Sequence, residues 1–217
     1  MDALAALGAF REATDLVQEA TTRVREVWAE LLAALHDLLR RARLWRSEDA
    51  VARLLAAEID ASAAAVDALV ARLRPGIEAE LGTLAETANR AVPVFTLFDT
   101  AIDLAGAAGH LAGLSAEMTG RGDLEAWSGA ARESYDRRVR EQITAADVAA
   151  EEAAATSRWL TEIGTAGAAY VTKVGHRGAE LVNRLAEAAV QAVEAAPAEL
   201  ARIVTTLDRL EMAMREE

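Results

Sequence analysis

The chain of 217 residues contains no cysteine. That excludes disulfides and thiol catalysis and leaves the redox compartment open. Only 3 prolines occur, so few points force a helix to stop. Aromatic residues make up 4% of the chain although hydrophobic residues make up 53%. The apolar content is therefore mostly aliphatic, and Ala carries much of it. No period-two alternation of the kind a strand needs is visible. Basic residues are in deficit, with 23 Lys and Arg against 35 Asp and Glu and a net charge of −12. Nucleic acid needs a basic face, so that class of partner is excluded. Adsorption to anionic lipid is disfavoured for the same reason. The first residues, "MDALAALGAFREATDLVQEA", lack the basic leader, apolar core and cleavage site of an ordinary secretory signal. An apolar run of the roughly 20 residues that cross a bilayer is also missing. The closest stretch, "VPVFTLFDTAIDLAGAAGHLAGL", is interrupted by Asp99, Asp103 and His110.

What is present is helical. From about Ala3 to Trp45, the residues Val17, Thr21, Val24, Trp28, Leu31, Leu35, Leu38, Ala42 and Trp45 recur at spacings of four and three, a heptad-like seam. Leu32 and Leu39 widen it into the stripe that a bundle helix buries. Ser47 reads as the N-cap of a second helix, followed by the acids Glu48 and Asp49. That helix carries Leu55, Ile59, Ser62, Val66, Leu69 and Leu73. Arg74-Pro75-Gly76 is expected to break or kink it, and Pro93 marks a second such point. Between them lie Ile77, Leu81, Leu84 and Ala88, and beyond Pro93 lie Phe95, Phe98, Ile102 and Leu104. "TGRGD", Thr119 to Asp123, is the clearest loop. A long segment after Gly129 then carries Tyr135, Val139, Ile143, Ala146, Ala150, Ala153, Trp159 and Ile163 as its apolar seam. Gly164, Gly167, Gly175 and Gly178 thin out its later part. Pro197 ends this helix or starts a last one through Leu200, Ile203, Leu207 and Leu210. The expected fold is all-α: an elongated antiparallel bundle of long helices, built from hairpins and resembling a four-helix bundle.

Catalytic and metal signatures are missing. A ferritin-like site needs a Glu three residues before a His on two facing helices. The residues three before His36, His110 and His176 are Ala33, Ala107 and Lys173. No glycine loop ends in Lys-Ser or Lys-Thr, and no Ser occupies a Gly-x-Ser-x-Gly elbow. No catalytic residue, metal ligand or cofactor is expected, and the chain does not read as an enzyme.

The stretch "GDLEAWSGAARESYD" remains. A helix, a glycine-containing loop, Trp127-Ser128-Gly129 and then a long helix opening "AARESYDRR" resemble the WXG100 superfamily. Members are helical hairpins with Trp-x-Gly at the turn, exported by type VII (ESX) secretion systems. Ala131 and Tyr135 stand where that family often has a small and an aromatic or apolar residue. The Ala- and Arg-rich composition looks actinobacterial. On physical grounds alone, the glycine would permit close chain approach and the Trp would cover the open end of the hairpin. A weaker echo lies at Leu44 to Ala50, where Trp45 stands between two long helices and Ser47 takes the glycine position. This divides the chain into residues 1–90, an N-terminal hairpin turning near Trp45, and residues 91–217, a WXG-like hairpin with a C-terminal helix. Both would pack as one bundle, as in longer ESX-secreted proteins that combine PE-like and PPE-like halves. The family's export signal, Tyr-x-x-x-Asp or Tyr-x-x-x-Glu, is not matched: Tyr135 is followed four later by Val139 and Tyr170 by Val174. A looser match, Phe95 to Asp99, precedes the Trp-x-Gly. Either a partner supplies the signal or the chain is not exported by that route.

The resemblance implies a non-enzymatic secretion substrate or secretion-associated protein acting through protein–protein contacts. Trp127 and Gly129 would form its docking motif, with Trp45 and Ser47 as a second turn. A protein partner, a homo-oligomer or the type VII machinery would bind it. The chain would be secreted or surface-located without a signal peptide, or else cytoplasmic. Two alternatives stay open: a membrane-active protein whose residues 92–118 leave the bundle and insert, and an intracellular helical adaptor.

Overall fold

The structure is a computed structural model and describes residues 2–48, 50–120 and 128–215. Among these residues there is no strand. The elements are α1 (Ala3–Glu48), a short α2 (Ala50–Leu54), α3 (Ala56–Gly120), α4 (Ala130–Glu194), a 3-10 turn at Pro197–Glu199 and α5 (Leu200–Arg215). The helices pack on one another as an all-α bundle. By contacts the chain groups into two compact units. Unit 1 comprises Met1–Glu12 with Arg90–Tyr170, and unit 2 comprises Ala13–Asn89 with Val171–Glu217.

Asp2 starts α1: its Oδ1 accepts the Ala5 N–H at 2.8 Å, satisfying a donor with no intrahelical partner. The buried seam of α1 includes Phe10, Ala13, Val17, Ala20, Val24, Val27, Leu31, Ala34, Leu38 and Ala42. Spacings of three and four alternate from Phe10 to Leu38, and a second step of four leads to Ala42. The seam lies one residue before two of the positions expected: Ala20 and Val27 are buried, while Thr21 and Trp28 sit half-buried on its shoulder.

Helix α3 does not break at either proline. It runs 65 residues through both Pro75 and Pro93. Each proline leaves the carbonyl four residues earlier without its N–H partner. Both prolines lie on the exposed face, as do Ala71 and Asn89, whose carbonyls are the ones released, so water can satisfy them. The core side adjusts as well. Its buried residues Leu69, Leu73, Ile77 and Glu80 are spaced four, four and three, an eleven-residue step around Pro75 inserted in the heptad rhythm.

Within unit 1, α3 and α4 run antiparallel. A Cβ on Gly164 would meet the Phe98 ring at 2.3 Å, and one on Gly167 would lie 3.8 Å from Val94. The Ser157 hydroxyl donates to the Ala101 carbonyl at 2.6 Å. The start of α1 joins them through Phe10, whose ring lies edge-on to Phe95 with centroids 4.9 Å apart.

Unit 2 holds the greater part of α1, the short α2, the first part of α3, the end of α4 and α5. Leu16 and Ala20 of α1 face Gly175 and Gly178 of α4, so these two helices run in the same direction. Arg41 of α1 donates to the carbonyls of Ala195 and Val193, which close the C-terminal end of α4. Asp60 of α3 pairs with Arg46 near the end of α1. Glu80 of α3 pairs with Arg177 of α4 at 2.9 Å. The last helix, α5, follows Pro197, which opens the 3-10 turn as expected for a residue with no N–H to satisfy. Leu200, Ile203, Leu207 and Leu210 of α5 are buried, as the sequence indicates. Its buried Glu211 is held by Arg72 of α3 at 2.9 Å and by Arg215.

Two expectations need correction. Ser47 does not cap a helix. It lies in the last turn of α1, and its hydroxyl donates back to the Leu44 carbonyl at 2.7 Å. Ser commonly makes this local bond inside a helix. Trp159 and Ile163 are not core: Trp159 is 58% exposed and Ile163 is 40% exposed. The inward positions of α4 are instead Ser157, Leu160, Gly164, Ala168 and Val171.

Candidate functional site

Trp127 lies outside the described residues, as do residues 121–123 of the expected "TGRGD" loop; Thr119 and Gly120 instead close α3. Gly129 is described, and it stands where α4 begins. Its carbonyl accepts the N–H groups of Arg132 at 3.0 Å and Glu133 at 3.3 Å, the first bonds of the helix. Its φ is +90°, a value found at no other described residue. Among the described residues, nothing lies within 4 Å of where its Cβ would be. The glycine thus suits its backbone angle, which L side chains rarely adopt. Glu133, in the first turn, faces the positive end of the helix dipole. Ala131 is exposed and Tyr135 is 41% exposed, so both positions singled out by the resemblance lie at the surface.

The second sequence-derived turn is built differently. Trp45 is half-buried and Ser47 exposed, and both belong to the end of α1. The chain reverses after them, through α2 and Leu55. That corner carries Leu44, Val51, Leu54 and Leu55, all exposed, with Leu54 at 86%. These exposed side chains give the corner an apolar character that the Trp-Arg-Ser triplet alone does not reveal.

Unit 1 carries further exposed apolar residues. On α4, Trp159, Ile163, Ala166 and Tyr170 follow spacings of four, three and four and form a stripe outside the packed one. Tyr170 is 60% exposed. Leu4, Val92 and Leu114 are exposed in the same unit. Such a stripe can contact an apolar surface.

A cleft of about 720 Å³ in unit 1 is bordered by Asp2, Ala105, Ser157, Thr161 and Thr165 among others. Its hydroxyls are engaged. Ser157 donates to Ala101, Thr161 donates to the Ser157 carbonyl at 2.8 Å, and Thr165 donates to the Thr161 carbonyl at 2.8 Å. Asp2 is used as the α1 cap. No histidine borders the cleft to act as a base for any of these hydroxyls. Among the described residues, no group of three or more His, Asp or Glu side chains converges to hold a metal ion.

The chain thus offers two helix-joining corners and an outer apolar stripe as its candidate contact surfaces. No family model, no curated protein and no solved structure matches the chain.

Proposed function

We propose that the protein is a non-enzymatic helical interaction module of the type VII secretion kind, a secretion substrate or a secretion-associated partner. It would dock through the end of the α3–α4 hairpin. The observation that carries this reading is Gly129. In a Trp-x-Gly sequence at the start of a long helix, the glycine has a positive φ that other residues rarely adopt. Motif spelling and backbone demand therefore coincide at one residue. The exposed Tyr135, the stripe of Trp159, Ile163 and Tyr170, and the corner at Leu54 supply apolar area for a protein partner. A direct test expresses the tagged chain in an actinobacterial host with an intact type VII ATPase and in one without. Recovery from the culture filtrate only with the ATPase supports export by that route. Equal amounts in both filtrates refute it.

A second reading is favoured by one observation on α3. Among the described helices it is the one long and apolar enough to cross a membrane by length and composition, with an 18-residue window of mean hydropathy 1.4 of which 22% is buried. The sequence reading set Asp99 and Asp103 against such a span, and both are exposed here. An intramembrane Asp is costly unless it lines a polar path. The acidic net charge also opposes approach to anionic lipid. Dye release from neutral vesicles at neutral pH would raise this reading above the first.

A further inference from the structure

Three glycines lie in the interior of α3 within one short stretch: Gly106, Gly109 and Gly113. Each is exposed, and none has any atom within 4 Å of where a Cβ would sit. None has a positive φ, so alanine fits the same backbone. This contrasts with Gly164 of the same unit, whose missing Cβ makes room for Phe98. Glycine is the weakest ordinary helix former after proline, because the unfolded chain has more freedom to lose. The three residues therefore weaken the helix without serving its packing.

The surrounding structure does little to compensate. From residue 102 to 120, only Ala108 and Ser115 are buried, both small. On α4, no residue from 130 to 156 is buried. The half-buried line there runs Val139, Ile143, Ala146, Ala150 and Ala153, and most of these side chains are too short to bury much area. The start of α1 reaches Ala105 and Ser157, where Asp2 and Ala3 border the cleft they share. Beyond that level the buried aromatic core of Phe10 and Phe98 has no counterpart.

We propose that residues 106–120 of α3 and 130–156 of α4 are a conformational device: they open together as one unit while the helices around Phe98 stay folded. Local opening of this kind follows where buried apolar contacts are few and helix propensity is low. The inference stands on burial and glycine placement and does not rest on the secretion reading.

Hydrogen exchange followed by mass spectrometry on the full chain tests it. Amides of residues 106–120 and 130–156 should exchange with matched protection, about a hundredfold faster than those of residues 94–101 and 160–168. The triple variant Gly106→Ala, Gly109→Ala, Gly113→Ala should slow exchange of the arm by about a hundredfold, about fivefold per site, and leave the Phe98 region unchanged. Equal protection of arm and Phe98 region overturns the proposal. So does a triple variant whose arm exchanges as before, exchanges faster, or no longer folds. The last outcome would mean that the glycines are packed.

Discussion

Gly164 of α4 lies against the face of unit 1 occupied by Phe98: a Cβ at residue 164 would come 2.3, 2.6 and 2.9 Å from three atoms of that ring. Phe98 is fully buried and its ring also faces Phe10, with centroids 5.7 Å apart, so it has little room to retreat. Overpacking of this kind costs about 1–3 kcal/mol. Gly164→Ala should therefore lower the stability measured by denaturant melts. Gly82→Ala, on an exposed stretch of α3 with nothing within 4 Å, should raise it by about 0.5–1 kcal/mol. Two substitutions of the same chemistry would move stability in opposite directions.

Pro75 interrupts the hydrogen-bond ladder of α3 on its exposed face. Replacing it with alanine restores an N–H for the Ala71 carbonyl and should stabilise the chain by about 1–3 kcal/mol. The thermal midpoint of Pro75→Ala checks this. A lower midpoint would mean that the eleven-residue step between Leu69 and Glu80 depends on the proline.

Trp159 is 58% exposed, whereas the sequence placed it inside the bundle. Trp159→Ala should cost less than about 1 kcal/mol, the range of ordinary surface changes. Leu31→Ala, at a fully buried position of α1, should cost about 2–5 kcal/mol. Comparable losses in the two melts would contradict the orientation of α4.

The Asp37 carboxyl is held below its ordinary value of 3.8, first by the hydrogen bond from Arg40 and then by the charges of Arg40 and Arg41. A depressed carboxylate contributes stability above its unfolded pKa and loses it as pH falls through the folded value. Asp37→Asn should therefore flatten the decline in stability from about pH 4 downward. The same carboxylate lies 3.0 Å from Arg41, which closes the C-terminal end of α4. Stability measured across that acid range in both forms gives the comparison. Parallel curves would show that Asp37 is not coupled to folding.

The last helix is legible because Leu200, Ile203, Leu207 and Leu210 are large and recur at spacings of three, four and three. Helix α4 was misread for the opposite reason. Its outward face carries Trp159, Ile163 and Tyr170 at the same spacing a core stripe would show. Its inward face carries Gly164, Ala168, Val171, Gly175 and Gly178, which look like weak points. The signal was there: these five residues alternate spacings of four and three, and glycine at seam positions marks close helix approach. In α3, the expected break or kink at Pro75 and Pro93 rests on propensity alone, and the sequence does not show that both prolines face water. The corner at Leu54 is not legible because its apolar residues follow no single helical stripe and their exposure depends on where α1 ends. The motif singles out Gly129, and its positive φ is a backbone demand that the sequence does not show.

The central claim is that the hairpin end docks onto a protein partner during export. The most direct measurement is the amount of Trp127→Ala chain in the culture filtrate of a host with a working type VII system, divided by the folded amount in the cells. Leu31→Ala serves as the folding control. Truncating an aromatic anchor of an interface costs about 2 kcal/mol or more, so export of Trp127→Ala should fall more than about tenfold. Its thermal midpoint should stay close to that of the parent chain. Export that is unchanged, or that falls only in step with the loss of folded protein as in Leu31→Ala, would contradict the account and make Trp127 a packing residue.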